Sequence, residues 1–223
     1  LKNATILDPS SPFHSTSQDL LIQNGEIAKI SNDIIDTDNT KVIKHENLHV
    51  SKGWFDSGVS FGEPGYEERE TLENGLYVAA ISGFTKILLN PDIIPIPDSN
   101  STISHLFKMG QNKTTSLYPI GALTDKGEGK QLASLYDMHQ QGAIGFGDYK
   151  SSLTSGNLLK IALQYVQSFD GIIFSHPLHS EIAESGVMHE GIISTKIGVK
   201  GIPSLAETIQ IARDLQILSY TEG

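Results

Sequence analysis

Apolar and polar positions change rhythm near residue 50. From residue 1 to about 50, short apolar runs alternate with turn chemistry: Ala4 to Leu7 before Asp8-Pro9, Leu20 to Ile22 before Asn24-Gly25, then Ile27 to Ile30, Val42-Ile43 and Leu48 to Val50. Period-two runs separated by such turns predict hairpin strands of a small β-structure. Beyond Val50 the pattern becomes strand, loop and helix, repeated. Val50, Trp54, Phe55 and Val59 give a buried strand closed by Glu63-Pro64-Gly65. Leu72, Leu76, Ala79 and Ala80 share one face of a helix over 71–82 that Gly83 ends. Strands are expected at 84–89, 115–120, 143–146 and 172–175. Helices are expected at 99–108, 131–141, 157–168 and 203–218. The alternation predicts five parallel βα units.

Composition narrows the function classes. Twenty-six acidic against 16 basic residues, a formal net charge of -10, exclude the clustered cation surface that tracks nucleic-acid phosphates. With no cysteine there are no disulfides, thiolate metal sites or thiol nucleophile. No apolar run spans a membrane and no signal-peptide pattern is present, so the expected location is the cytoplasm. Asn3, Asn100 and Asn112 open N-x-[ST] triplets that are chance matches without a secretory signal. Gly127, Gly129 and Lys130 hint at a phosphate loop, but Thr124 stands where its first glycine belongs and Gln131 follows the lysine. Ser57 and Ser60 sit in no nucleophile elbow.

Several segments resemble one family. The run Val50 to Gly65, VSKGWFDSGVSFGEPG, is similar to the first barrel strand of class I bacterial dihydroorotases of the amidohydrolase superfamily, roughly GxxDxHxHxREPG. Gly53, Asp56, Glu63, Pro64 and Gly65 match. DLLIQNGEIAKI resembles the family's small β-sandwich, LLNPDIIPIPDS its MPNTxPxxDS loop, SLYPIGALTDKGEGKQLASL its VYPIGAxTxGxxGxxL segment, GAIGFGDYK its GAxAFSDDG, and IIFSHPLHSEIAESGVMHEG its HAED…GxMNEG stretch. The resemblance implies a (β/α)8 TIM barrel, of which about five units lie in this chain at 51–223, and a β-sandwich part at 1–50. A chain with five of eight units and Leu1 in place of an initiator Met is expected to be a fragment.

Function follows from the mismatches. In the family the HxH pair binds the catalytic zinc, because residues i and i+2 of a strand share a face. Here those positions are Gly58 and Ser60. The substrate-clamping arginine falls on Gly62, and the loop asparagine that meets the substrate carboxylate is Asp92, an anion in place of a donor. Asp148 and His176 match the family's remaining metal ligands in this stretch, so the metal set is vestigial and zinc is expected to be absent or weakly held. No catalytic residue is assigned. His176 and His179 form a candidate i, i+3 pair interrupted by Pro177, and Asp92 with Asp148 a candidate carboxylate pair for a metal-free activity. His189 replaces the family's Asn. His14, His45, His49, His105 and His139 are read as solvated or structural. The resemblance thus implies a cyclic amide hydrolase of pyrimidine biosynthesis with lost or impaired catalysis. The alternatives are an active dihydroorotase interconverting carbamoyl aspartate and dihydroorotate, and a non-catalytic structural or regulatory partner of an active paralogue or of aspartate carbamoyltransferase. A homodimer is the expected assembly.

Overall fold

The computed structural model describes residues 1–37 and 39–222. Two compact units divide the chain, Leu1–Trp54 and Phe55–Gly223.

The first unit is one four-stranded sheet. Strands β1 (Ala4–Leu7), β2 (Ser17–Gln23), β3 (Glu26–Ser31) and β4 (His49–Ser51) lie in the order β3-β2-β1-β4. Asn24 and Gly25 both take positive φ, 52° and 82°, and close the β2–β3 hairpin with Gln23 opposite Glu26. That is the primed turn whose twist matches its strands, and asparagine followed by glycine is the pair that tolerates it. Ala4, Ile6 and Leu20 are buried on one face, with Leu1, Phe13, Ile30, Leu48 and Val50 packed round them. Val42-Ile43, expected as a strand, forms none, although the Ile43 carbonyl accepts from the Lys2 N–H at 2.9 Å. The expected sandwich is therefore represented by a single layer, since all four strands are spent on one sheet.

The second unit is a parallel sheet with helices between its strands. Strands β5 (Trp54–Val59), β6 (Phe84–Leu89), β7 (Ser116–Gly121), β8 (Gly145–Phe146) and β9 (Ile172–Ile173) lie side by side in sequence order. The β6–β7, β7–β8 and β8–β9 ladders are parallel. Helices α1 (Leu72–Ile81), α2 (Asn100–Met109), α3 (Leu135–Gln140) and α4 (Gly156–Val166) cross between them. After β9 come α5 (Ser180–Ala183), β10 (Met188–His189), α6 (Ile192–Ile197) and β11 (Gly201–Ile202), and then α7 (Leu205–Thr221). The five consecutive parallel units form part of a barrel wall.

Two apolar clusters hold this wall. Phe61, Leu72, Leu76, Ile87, Leu89, Ile93, Leu106 and Leu117 join β6 and β7 to α1 and α2. Ile103, Leu123, Leu135, Met138, Phe146, Leu159 and Val166 do the same around β8 and α4. Burying a side chain of this size contributes about 1.5–3 kcal/mol, so these clusters dominate the stability of the unit.

Three expectations are corrected. Trp54 and Phe55 are 65% and 55% exposed rather than buried, because β5 is the sheet's outer strand and has a hydrogen-bonding neighbour on one side only. The helix expected over 131–141 is confined to Leu135–Gln140, because residues 131–133 pair back on the preceding loop: Asp125 N–H donates to Gln131 O at 2.9 Å and Ala133 N–H to Leu123 O at 3.0 Å. The strands expected over 143–146 and 172–175 shorten to Gly145–Phe146 and Ile172–Ile173.

Candidate functional site at the strand ends

In a sheet of this kind the functional end is where the strands' carboxyl termini open into loops. Here that end is built by the residues after β5, β6, β7, β8 and β9.

The loop after β5 is held by the residues that match the family pattern. Glu63 Oε2 accepts from the Leu72 N–H at 2.6 Å and so caps α1, together with Thr71, whose hydroxyl accepts from the Asn74 N–H at 3.2 Å. A carboxylate there satisfies an orphan donor and opposes the positive end of the helix. Asp56 Oδ1 accepts from the Gly58 N–H at 3.0 Å. In the loop after β6, Asp98 Oδ2 accepts from the Lys126 N–H at 3.0 Å and ties that loop to the one after β7.

Asp148, after β8, makes the largest such set. Its Oδ1 accepts from the N–H groups of Leu123 and Thr124 at 2.9 and 3.0 Å, and its Oδ2 from the Thr124 hydroxyl at 2.7 Å. Thr124 is fully buried, and its hydroxyl oxygen in turn accepts from the Gly129 N–H at 2.8 Å. Both carboxylate oxygens are thus committed to one loop. His176 lines the same small cavity as Asp148, with Ser151, Ser175, Leu123 and Phe174 among its neighbours, and the free volume is about 10 Å³. That is room for about one water. The structure therefore brings Asp148 and His176, the two positions that match the family's metal ligands by resemblance, to one cavity.

The other positions do not complete a metal set. Gly58 has no side chain, although a Cβ there would meet only the Asn90 amide at 3.5–3.6 Å, so packing does not demand a glycine. The Ser60 hydroxyl donates to the Tyr149 hydroxyl at 3.0 Å and accepts from the Asn90 amide at 3.4 Å. His179 is not among the residues lining the Asp148 cavity, and its Nδ1 is buried without a hydrogen bond. Among the described residues no three His, Asp or Glu side chains are placed to hold one ion. One imidazole, one carboxylate already bound by three donors and one serine hydroxyl do not fit a zinc ion, which takes three or four nitrogen, sulfur or carboxylate ligands.

A second, larger cleft of about 590 Å³ lies beside Ser60 and Tyr149 and is lined also by Tyr66, Arg69, Asp92 and Lys150. Asp92 and Asp148 therefore line different cavities. Arg69 is a residue that the sequence pattern did not single out. Its Nη2 donates to the Asp92 carbonyl at 2.9 Å, its Nη1 lies 3.4 Å from Asp92 Oδ2, and its guanidinium sits 4.4 Å from the centre of the Tyr66 ring. Gly62 explains why it can. At φ +112° the position disfavours any side chain, and a Cβ there would fall 2.6 Å from the Tyr66 carbonyl and 3.0 Å from Arg69 Nε. The one available signal was charge: Arg69 is the single cation between Lys52 and Lys86.

A parallel α/β wall with its polar loops gathered at the strand ends is the build of an amidohydrolase barrel, and two solved structures share it. L-hydantoinase (dihydropyrimidinase) from Arthrobacter aurescens superposes with a TM-score of 0.71 at 19% identity, over 99% of this chain and 50% of that one. A D-hydantoinase superposes with a TM-score of 0.62 at 17% identity, over 99% and 49%. The family model described as dihydro-orotase-like matches residues 50–221, and the chain belongs to that dihydroorotase family of the amidohydrolase superfamily. It is 34% identical to the dihydroorotases of Syntrophus aciditrophicus and Pelotomaculum thermopropionicum, over 99% of this chain in each case. It is also 34% identical to that of Acetivibrio thermocellus over 100% of this chain. The chain spans about half the length of these relatives, 52%, 51% and 52%.

Proposed function

We propose that this chain belongs to a dihydroorotase-family protein in which metal-dependent hydrolysis of a cyclic amide is lost and the fold serves a structural or regulatory role. The observation that supports it is a division of labour among the family-matched positions. Glu63, Asp98 and Asp148, which are kept, each accept hydrogen bonds from backbone N–H groups and hold loops together. Gly58, Ser60 and Gly62, which are changed, stand where the family places side chains that hold metal or substrate. Selection on folding alone retains the first group and releases the second.

On this reading a hydroxide-generating metal, which lowers the pKa of bound water, has no adequate seat among the described residues, and the role of Asp148 is that of a latch. The single-layered first unit is read as the amino-terminal part of the family's small sandwich. The assembly proposed is a homodimer that supports an active dihydroorotase paralogue or aspartate carbamoyltransferase in pyrimidine biosynthesis. The test is turnover of dihydroorotate and carbamoyl aspartate by the full-length protein with added zinc. No turnover above a metal-free control is expected, and zinc-dependent turnover would overturn the reading.

A further inference from the structure

The excursion between β9 and α7 turns an apolar face to solvent. Val187, Ile192, Ile193 and Ile197 are 74%, 75%, 60% and 60% exposed. Scattered singly such residues are ordinary, but a group of them marks an interaction surface. The helix that carries three of them, α6, is firmly seated. Its Ser194 is buried, with the hydroxyl donating to Gly191 O at 2.9 Å and accepting from the Gly191 N–H at 2.9 Å. The Val199 N–H donates to Ser194 O at 3.0 Å, the Glu190 N–H to Ile202 O at 2.9 Å, and Lys200 pairs with Glu184. At about 100° per residue, Ile192 and Lys196 fall opposite Ser194, with Ile193 and Ile197 following round one flank.

The charges at the two ends of α6 make this face complementary to itself. Glu190 precedes the helix and Lys196 lies in its last turn, each three residues from Ile193. Both are exposed, and among the described residues neither is in an ion pair. Residues 184–200 hold two acids and two bases, Glu184, Glu190, Lys196 and Lys200, and so sum to zero in a chain of formal charge -10. Two copies of such a chain repel least where this segment meets its own kind. In a two-fold interface one patch serves both protomers, so a residue that meets a second residue across it is met by that second residue in return. Two α6 helices crossing antiparallel at Ile193 would bring Glu190 of each protomer beside Lys196 of its partner and set the opposed ends of the helix dipoles together.

We infer that two copies of this chain associate through α6, as an antiparallel helix pair centred on Ile193 with a Glu190–Lys196 ion pair at each end. Ile192, Ile193 and Ile197 form the apolar centre, and the ion pairs set register and direction. An unrelated partner would have to mirror the order acid, apolar, base, whereas a second copy carries it by symmetry. The inference rests on the homodimer reading given above and assigns that dimer its surface; it does not depend on whether the strand ends hold a metal.

The test is sedimentation equilibrium of the full-length protein, which gives the dissociation constant of the dimer. Wild type is expected to be dimeric at micromolar concentration. Ile193→Glu puts two carboxylates at the centre of the interface and alters a side chain already exposed in the protomer; it should raise the constant by about a hundredfold or more. Glu190→Lys and Lys196→Glu each turn two attractions into two repulsions and should raise it by about tenfold. The double variant Glu190→Lys/Lys196→Glu restores both pairs and should return to the wild-type constant. Mixing the two single variants, one of them isotopically labelled, should give the mixed dimer in preference to either homodimer by native mass spectrometry, because each supplies the charges that the other lacks. A monomeric wild type overturns this inference and the homodimer reading together. A dimer indifferent to all three single substitutions, or weakened by both reversals and not rescued by the double variant, overturns this inference alone: the homodimer then forms elsewhere and the α6 face belongs to another occupant.

Discussion

Replacing Asp148 with alanine separates a latch from a metal ligand. The substitution strands the N–H groups of Leu123 and Thr124 and the Thr124 hydroxyl, at a place where Leu123 is 3% and Thr124 0% exposed. A buried donor left without a partner costs about 1–3 kcal/mol. Three such losses would reach roughly 3–9 kcal/mol if none were relieved. Truncation enlarges the adjoining cavity of about 10 Å³ enough for water to enter and satisfy part of the set. A loss near the lower end, about 3 kcal/mol, is therefore expected. In a domain of this size that lowers the Tm by roughly 6–12 °C. Differential scanning fluorimetry of wild type and Asp148→Ala, each with EDTA and with zinc, measures it. The latch predicts the same drop in both buffers and a wild-type Tm indifferent to zinc. A variant as stable as wild type in EDTA, or a wild type stabilised by zinc in a manner that Asp148→Ala abolishes, would refute the reasoning.

Two further substitutions test the packing and the first sheet. Gly75→Ala in α1 places a Cβ 2.5–2.7 Å from the Phe61 ring, so despite the gain of about 1 kcal/mol in helix propensity the overpacking cost of about 1–3 kcal/mol should leave the protein less stable in urea denaturation; a more stable variant would show that Phe61 yields freely. Asp19 accepts from the Asn3 N–H, from Lys2 and from the Ile34 N–H, and these bonds lower its pKa from 3.8 to about 2. A depressed folded pKa means that its stabilisation is fully present above pH 3.8 and is lost as pH falls through about 2. The stability difference between wild type and Asp19→Asn, followed by circular dichroism, should therefore shrink over that window, and a constant difference would show that the carboxylate's charge plays no part.

How much of this could be inferred from the chain depended on length and locality. The β2–β3 hairpin was visible because Asn24-Gly25 states its turn in two residues, and α1, α2, α4 and α7 because each is long enough to show an apolar stripe or caps. The elements between residues 180 and 202 were not visible: α5 and α6 have four and six residues, β10 and β11 two each, too short for either periodicity. Within the site, Gly58, Ser60 and Gly62 could be named because a missing side chain is a local fact. Arg69 could not, because its place beside Gly62 depends on how residues 62–69 fold back, with the Tyr66 N–H bonded to Gly62 O and the Arg69 N–H to Tyr66 O, each at 2.9 Å. The role of Asp148 was equally hidden, since its partners lie 24 and 25 residues earlier.

The central claim is that the kept family residues hold the fold while the metal seat is gone. Its most direct test is the metal content of the purified full-length protein after incubation with zinc and desalting, by plasma mass spectrometry. The account predicts far less than one zinc per folded chain. Near-stoichiometric zinc that survives desalting would contradict it and would require ligands beyond Asp148 and His176.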